Sequence, residues 1–185
     1  MATSYPRRTH SGGIWRVTDV AKNLLEHGTW PGLGLPSGRG IFAAGFASPT
    51  LHNAEYVTIS TTGNTSDFGD STCLGSNGRS ASNAVRAVLA VGYAASTVTY
   101  LNTIEYYTIA TLGNAIDFGD LTAVRSEGGA CSSPTRAVWA GGNDPYKASI
   151  DYVQIMTTGN AVDFGDLSAA RRTYGAVSNG HGGLG

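Results

Sequence analysis

The four-residue string Asp-Phe-Gly-Asp occurs three times in this chain of 185 residues, and this repetition constrains the fold more than any other feature. The copies lie at Asp67–Asp70, Asp117–Asp120 and Asp163–Asp166, so their spacings are 50 and 46 residues. Self-similarity at a period of this size is typical of solenoids, propellers and repeat arrays. We therefore expect an array of similar units rather than one unrepeated core.

A larger unit surrounds each copy of this string. A strand of small apolar residues comes first, then a segment with an acidic residue and a tyrosine, and then a Gly-Asn pair. We place the units at residues 40–85, 86–135 and 136–181, with the start of a further first strand at 182–185. The second unit carries four extra residues in its first loop, near Tyr93–Asn102, which indicates that the rest of the unit is structurally fixed.

Each unit predicts four short strands. The first, Arg136–Ala140 in the third unit, is continuously apolar, as expected of a strand buried on both faces. The second, Ile104–Ala110, alternates between two faces, and the Gly-Asn pair after it favours a hairpin turn into a third strand near Ala115–Phe118. The fourth is a weaker segment near Gly129–Ser133. Because propellers repeat four-stranded sheets radially, we predict an all-β fold of three tandem, four-stranded, propeller-like repeats.

Residues 1–39 do not repeat, and we predict that they form an N-terminal arm with one short amphipathic helix. Thr18 is a suitable N-cap residue, and Gly28 is a natural C-terminal stop. The apolar side chains on and beside this helix indicate that it attaches the repeats to another surface. The residues predicted to make that attachment are Trp15, Leu24, Leu25 and Trp30.

Composition excludes several classes of function. The net charge of −1 gives no electrostatic reason to expect binding to nucleic acid or to an anionic membrane. No apolar run approaches the roughly 18 residues of a transmembrane helix, so membrane insertion is not expected, and no secretion signal is visible. Two cysteines, Cys73 and Cys131, are too few for a disulfide scaffold and replace small apolar residues of the other units, which predicts core packing.

The repeated carboxylates are candidates for chemistry. Pairs such as Asp67 and Asp70 resemble the clustered oxygen ligands that hard cations take. A residue that recurs in every unit more often maintains the unit, so we favour a structural role in which the carboxylates flank a buried Phe and accept backbone hydrogen bonds in a turn. The cation alternative stays open. The residues in question are Asp67, Asp117 and Asp163.

Aromatic residues recur with the same period. We predict that the phenylalanines lie between neighbouring sheets and that the tyrosines pack between blades rather than forming a ligand platform. These structural repeat residues are Phe68, Phe118, Phe164, Tyr56, Tyr106 and Tyr152.

No catalytic constellation is visible. The four histidines lie in separate contexts without metal-ligand spacing, and no nucleophile is paired with a base. The Asp-Phe-Gly string of protein kinases is accompanied by a phosphate loop and a catalytic loop, and neither pattern occurs here. The sequence therefore predicts a protein that is not an enzyme and needs no cofactor.

The units resemble kelch-type propeller blades. The resemblance rests on the Gly-ended first strand, on Glu105-Tyr106 in the second strand, on Phe118 in the third, and on a later arginine, Arg125 or Arg171. The first unit departs from this pattern because Gly75 stands at the arginine position.

A more specific resemblance covers nearly the whole chain. The phrase Thr-Thr-Gly-Asn-Ala-Val-Asp-Phe-Gly-Asp-Leu at 157–167 looks like the repeat of structural proteins from tailed phages of marine cyanobacteria. The ending at 178–184 and the leader at 13–31 are similar to segments of such proteins. This resemblance implies a virion structural protein, located in a capsid decoration, a head fibre or a tail fibre, whose arm contacts other virion proteins. The alternative is a receptor-binding module that recognises a host surface glycan.

The repeat number predicts self-association. A propeller closes with about four to eight blades, and this chain supplies three. Unfinished sheet edges expose unpaired backbone and favour pairing with another copy. Two chains would give six blades, whereas three chains around an axis would suit a fibre, and the precedent of fibres favours the trimer slightly.

Overall fold

A computed structural model describes residues 38–45, 52–94, 97, 99–143, 145–172 and 175–179. Met1–Gly38 and Arg39–Gly185 separate as two units, and the strands found among the described residues lie in the second. The described residues contain no helix, and so nothing among them has the length and hydropathy that a helical membrane crossing requires. The helix predicted near 18–28 and the attachment residues Trp15, Leu24, Leu25 and Trp30 lie outside the described residues.

The fold is all-β, as predicted, and consists of four antiparallel sheets. Sheet I has the order β1 (Arg39–Phe42), β2 (Asn53–Thr58), β3 (Ser66–Asp70). Sheet II has the order β5 (Arg79–Ser82), β6 (Arg86–Ala90), β9 (Thr103–Thr108), β10 (Ile116–Asp120). Sheet III has the order β11 (Gly129–Ser132), β12 (Arg136–Ala140), β13 (Ser149–Gln154), β14 (Val162–Asp166). Sheet IV is small and has the order β4 (Gly75–Ser76), β7 (Tyr93–Ala94), β8 (Thr99–Tyr100).

The sheets are offset by one strand from the sequence units. β11, predicted as the fourth strand of the second unit, pairs with β12 of the third unit and places Cys131 opposite Val138. β5 pairs with β6 across the preceding boundary in the same way. The link between β5 and β6 is short, and the Asn83 side-chain oxygen accepts from the backbone N–H of Arg86 at 2.9 Å, which closes a hairpin. The predicted assignment of the fourth strand to its own unit is therefore corrected.

The core lies between neighbouring sheets. Alternation along β9 directs Tyr106 toward sheet III, while Glu105 and Tyr107 face sheet I. Side chains from sheets II and III form the larger cluster, which includes Val88, Ile104, Phe118, Trp139 and Ile155. Sheets I and II enclose the smaller one, which includes Ala54, Phe68, Tyr107 and Ala115. Burial of this apolar surface is the main force that holds one sheet against the next.

Candidate functional site: the contacts between neighbouring sheets

The repeated motifs meet where sheet III packs on sheet II. The backbone N–H of Gly159 donates to the carbonyl of Phe118 at 2.8 Å, and Ala161 N–H donates to the carbonyl of Asp120 at 2.7 Å. The backbone N–H of Asp120 donates to Asn160 Oδ1 at 3.0 Å. The Gly-Asn pair of one sheet is thus hydrogen-bonded to the Asp-Phe-Gly-Asp strand of the sheet before it.

The same three bonds join sheet II to sheet I. Gly113 N–H donates to the Phe68 carbonyl at 2.8 Å, and Ala115 N–H donates to the Asp70 carbonyl at 2.7 Å. Asp70 N–H donates to Asn114 Oδ1 at 3.0 Å. The two repeated strings are therefore the two halves of one connector, which is a stronger reason for their recurrence than either strand alone provides.

This placement changes the role predicted for the Gly-Asn pair. The tight turn after β9 is closed by a hydrogen bond in which Thr111 N–H donates to the carbonyl of Thr108 at 3.2 Å. Gly113 and Asn114 come after that turn and contact the neighbouring sheet instead. The pair is a connector between sheets rather than the hairpin turn that the sequence predicted.

In the two Asp-Phe-Gly-Asp strands that contact a following sheet, the backbone of that sheet comes so close that the third residue must be glycine. Gly119 has a φ of +141°, and a Cβ there would lie 2.5 Å from the carbonyl oxygen of Gly159. Gly69 has a φ of +147° and would clash in the same way with the backbone of Gly113. A side chain at either position would meet backbone, which cannot rotate away as a flexible side chain would.

Two buried carboxylates make further bonds between sheets. Glu105 is fully buried and accepts from the hydroxyl of Ser71, from Thr72 N–H at 2.8 Å and from Thr72 Oγ1 at 2.7 Å. Asp151 occupies the same position in sheet III, is also fully buried, and accepts from Thr122 N–H at 3.0 Å. Each buried carboxylate thus accepts several hydrogen bonds, and these offset the free-energy cost of removing its charge from water.

The aspartates singled out from the sequence are placed differently. Asp67, Asp117 and Asp163 are exposed, and their carboxylates accept no hydrogen bond from the described residues. Asp70 and Asp120 act through their backbone groups. The expectation that the repeated Asp carboxylates accept backbone hydrogen bonds in a turn is therefore corrected: the bonded carboxylates are those of β9 and β13.

Each repeated tyrosine lies between a phenylalanine and an arginine of its own sheet. The ring centroids of Tyr56–Phe68, Tyr106–Phe118 and Tyr152–Phe164 are all 5.9 Å apart and arranged edge to face. The guanidinium carbons of Arg39, Arg86 and Arg136 lie 5.0, 4.3 and 4.7 Å from the corresponding tyrosine centroids. The tyrosines thus support the arginine and phenylalanine that reach the next sheet.

Two of these arginines cross to the following sheet. Arg39 Nη1 donates to the carbonyl of Ile109 at 2.8 Å, and Arg86 Nη1 donates to the carbonyl of Ile155 at 3.1 Å. The arginine stacked on the tyrosine is therefore a further part of the repeated connector.

Sequence reasoning missed the importance of Glu105, Asp151 and Trp139. Arg125, noted as the kelch-type arginine, forms a buried ion pair with Asp151 at 2.9 Å. Trp139 Nε1 donates to the Arg79 carbonyl at 2.9 Å and joins sheet III to sheet II. The signal for the carboxylates was present, because an acidic residue precedes the tyrosine in every unit.

Burial is the main cause of the raised pKa of two side chains, Tyr107 and Cys73. Desolvation and the nearby charge of Glu105 raise the pKa of Tyr107, whose hydroxyl donates to Glu105 Oε1 at 3.5 Å. Burial also raises the pKa of the half-buried Cys73 thiol, which is the opposite of what an activated nucleophile requires. Among the described residues, no group of three or more His, Cys, Asp or Glu side chains is placed to hold a metal ion.

Sheets I and III each expose one half of the connector, for which the described residues supply no other half. Phe164 is 54% exposed, whereas Phe68 and Phe118 are each 2% exposed. Gly165 has a φ of +138°, yet among the described residues nothing beyond its chain neighbours lies within 4 Å of its Cβ position. Phe68 and Phe118 therefore lie between two sheets, whereas Phe164 lies at an outer face, because within the described residues no sheet follows β14.

The other half is exposed on sheet I. Gly63 and Asn64 are exposed, and no described residue other than the chain neighbours of Gly63 lies within 4 Å of a Cβ built there. Ile59 is 69% exposed, although Ile155, at the same position in sheet III, is fully buried. Glu55, which corresponds to Glu105, is only half-buried.

Comparison with known proteins supports the fold alone. No protein-family model matches the sequence, and no curated protein matches it. Among the 92 matching chains of known structure is one described as the structure of YjhT, with a TM-score of 0.53 and 14% sequence identity. The match covers 70% of this chain and 42% of that chain, so this chain spans less than half the length of that structure. The comparison therefore supports a propeller-like, all-β fold, and the described residues do not show a closed propeller.

Proposed function

We propose that this chain is a structural component of a tailed-phage virion, built from kelch-type blades and without catalytic activity or cofactor. The sequence resemblance to structural proteins of cyanobacterial phages suggests the setting. The observation that carries the proposal is that the repeated polar groups are engaged between sheets: Gly159, Asn160 and Asp151 each bond a neighbouring sheet, as do their counterparts in sheet II. A chain that uses its repeated polar residues in this way is suited to packing rather than turnover.

Analysis of purified virions tests this proposal. Mass spectrometry of particles, with heads and tails separated, should detect the chain at a fixed stoichiometry in one of the two fractions. A particle reconstruction should then distinguish a capsid decoration or head fibre from a tail fibre. Absence of the chain from washed particles, while it is abundant in infected cells, would contradict the proposal.

The N-terminal arm is proposed as the attachment segment. Deleting residues 1–36 should leave the thermal unfolding of the sheets unchanged and should abolish incorporation into particles. The substitutions Trp15→Ala and Trp30→Ala, made together, should give the same loss without shortening the chain. Normal incorporation of both variants would assign attachment to another part of the chain.

A second candidate is recognition of a host surface glycan. It is favoured by Tyr93 and Tyr100, which stack edge to face at 5.3 Å on the hairpin formed by β7 and β8, where the second unit carries its extra residues. Aromatic faces on a loop are suited to packing against sugar rings. Binding of the purified chain to host cells should fall with Tyr100→Ala and persist with Tyr146→Ala, which alters an exposed tyrosine elsewhere. Equal binding by both variants would reject this role for the hairpin.

A further inference from the structure

We infer that two copies of this chain join head to tail, the exposed face of sheet III in one copy binding the exposed face of sheet I in the other. The inference goes beyond the proposed function, because it concerns association of the purified chain in whatever particle or solution it occurs. It rests on the repeated connector, which the chain forms twice internally and leaves unpaired at its two outer sheets.

We name the two exposed faces by their residues. The strand face comprises Arg136, Phe164–Asp166 and Ser168, which correspond to residues of sheets I and II that contact the next sheet. The turn face comprises Glu55, Ile59 and Gly63–Thr65, which correspond to residues of sheets II and III that cover the preceding sheet. Each face is therefore one side of a contact whose geometry is already observed.

The backbone hydrogen bonds that join sheets inside the chain indicate which bonds would form between two copies. By analogy with Gly113 and Gly159, Gly63 N–H would donate to the carbonyl of Phe164, and Thr65 N–H would donate to the carbonyl of Asp166. By analogy with Asn114 and Asn160, Asn64 Oδ1 would accept from the Asp166 N–H. This approach requires the open space beside Gly165. Inside the chain, the equivalent space beside Gly69 and Gly119 is occupied by the backbone of the next sheet.

The apolar surfaces also match. Phe164 on the strand face and Ile59 on the turn face are both more than half exposed, although their internal counterparts Phe118 and Ile155 are almost fully buried. Docking would cover both side chains at once. Exposed apolar groups at matching positions of two outer faces are typical of an interface rather than of a solvated surface.

The polar groups are complementary as well. Glu55 has no hydrogen-bond partner among the described residues, whereas Glu105 and Asp151 accept from Thr72 and Thr122 of the preceding sheet. Ser168 stands at the position of these threonines. Arg136 stands at the position of Arg39 and Arg86, and would donate to the Ile59 carbonyl of the second copy.

Residues 175–179 provide an independent indication of direction. The hydroxyl of Ser178 donates to the carbonyl of Ser132, just as the hydroxyl of Ser132 donates to the carbonyl of Ser82 at 2.7 Å. This segment therefore lies where the outer strand of a following sheet, equivalent to β5 and β11, would lie, and Val177 in it is 94% exposed. A following sheet supplied by another copy would bury it.

Sheet I has room for such a strand. Within the described residues it lacks the strand that corresponds to β5 and β11, and a cavity of about 200 Å³ lies between β1 and strands β5 and β6. Ile41 and Ala43 line one side of this cavity, and Ala81 and Val88 line the other. Addition of residues 175–179 from a second copy along β1 would be a case of β-augmentation.

Two copies suit the geometry better than three. A head-to-tail contact is heterologous and leaves two faces open unless the ring closes. Two copies place six large sheets in the ring, within the range of about four to eight blades that propellers adopt, whereas three copies would exceed it. We therefore expect a closed dimer in which each contact uses the strand face of one copy and the turn face of the other.

Sedimentation velocity and light scattering of the purified full chain test this inference. The wild-type chain at micromolar concentration should have twice the 19.1 kDa mass of one copy. Gly165→Ala should raise the dissociation constant at least about tenfold, because the new Cβ would meet the backbone at Gly63 of the second copy. Asn64→Ala removes an acceptor on the turn face and should weaken association in the same direction. Ile116→Ala, which alters an exposed side chain on β10 outside both faces, should leave the mass unchanged.

Mixing the two weakened variants identifies the head-to-tail arrangement. In each variant alone, both contacts of the ring carry the substitution, whereas a mixed pair has one contact with neither substitution. Because Gly165 and Asn64 would meet in the other contact, their losses there are less than additive. The mixture, which keeps one unaltered contact, should therefore associate more tightly than either variant alone. A wild-type monomer, a dimer that neither variant weakens, or a mixture no tighter than its components would each overturn the inference; circular dichroism of each variant establishes that it is folded.

Discussion

Thr122 donates to the carboxylate of Asp151 from both its backbone N–H, at 3.0 Å, and its hydroxyl, at 2.8 Å. Thr122 follows the last strand of sheet II, and Asp151 lies in the middle of sheet III, so the bonds join two sheets that a long connection separates in sequence. The carboxylate also accepts from Arg125 Nη2 at 2.9 Å, and both side chains are almost fully buried. This charge is stabilised only while the two sheets are in contact.

The substitution Asp151→Asn should therefore be strongly destabilising. It leaves the buried Arg125 guanidinium without its counter-charge, and breaking a buried pair of this kind costs about 3–5 kcal/mol of unfolding free energy. Glu55→Gln is the matched control, because Glu55 occupies the same position in sheet I but is half-buried and unbonded within the described residues. In protein dilute enough to be monomeric, where no second copy covers Glu55, a change within about 0.5 kcal/mol is expected. Urea unfolding measured for both variants checks the difference, and equal losses would show that Asp151 adds nothing beyond its place in the strand.

Phe118→Ala should remove a principal apolar contact between sheets II and III. Phe118 is 2% exposed and packs in the cluster with Ile104, Trp139 and Ile155, so truncation should cost on the order of 3–5 kcal/mol. Phe164→Ala removes the same side chain from a position that is largely exposed within one chain. Its effect should be much smaller in dilute protein and should grow with protein concentration, since a second copy would cover Phe164. An unchanged melting temperature for Phe118→Ala would be incompatible with this packing.

A pair of glycine substitutions separates backbone strain from steric clash. Gly113 and Gly119 have similar positive φ values, +148° and +141°, but only Gly119 has backbone within contact distance of its Cβ position. Gly113→Ala should cost the strain alone, about 1–3 kcal/mol. Gly119→Ala should cost the same strain and a further loss of about 1–3 kcal/mol, because Gly159 must move. Chemical unfolding of the two variants gives this difference directly, and equal stabilities would mean that the connector can shift without cost.

The sequence was sufficient to predict the local elements. The strand predicted at Arg136–Ala140 coincides with β12, and the segments predicted near Ala115–Phe118 and Gly129–Ser133 overlap β10 and β11. These predictions rest on alternation, β-propensity and turn residues, all of which act over a few neighbouring positions. The all-β class follows from them.

The pairing of the fourth strand could not be obtained in this way. β11 has two neighbours in sequence, and nothing in its own composition favours β12 over β10. The short hairpin at Ser133–Thr135 decides the matter, since closing a short loop costs less conformational entropy than closing a long one. Repetition gives the length of a unit, but it does not show at which strand one sheet ends and the next begins.

The site was predicted in part for a similar reason. The recurrence of Asp117 and Asp120 was visible, but a repeated residue can act through its side chain or through its backbone. Asp120 proves to contribute its N–H and carbonyl, while the buried carboxylates are Glu105 and Asp151. Distinguishing these roles requires knowing which face of each strand meets the next sheet, and that is a property of tertiary packing.

Tyr107 should make the stability of the fold fall at alkaline pH. Burial and the charge of Glu105 raise its pKa above the value of about 10 for an exposed tyrosine, so the phenol stays neutral in the folded chain at a pH where it ionises in the unfolded chain. The unfolded state then binds fewer protons than the folded state, and the free energy of unfolding decreases as the pH rises above about 10. Below that pH the contribution is fully present. Thermal melts of wild type and Tyr107→Phe between pH 8 and about 11 should therefore converge as the pH rises, because the variant lacks the phenol; parallel curves would show that Tyr107 ionises as freely in the folded chain as in the unfolded one.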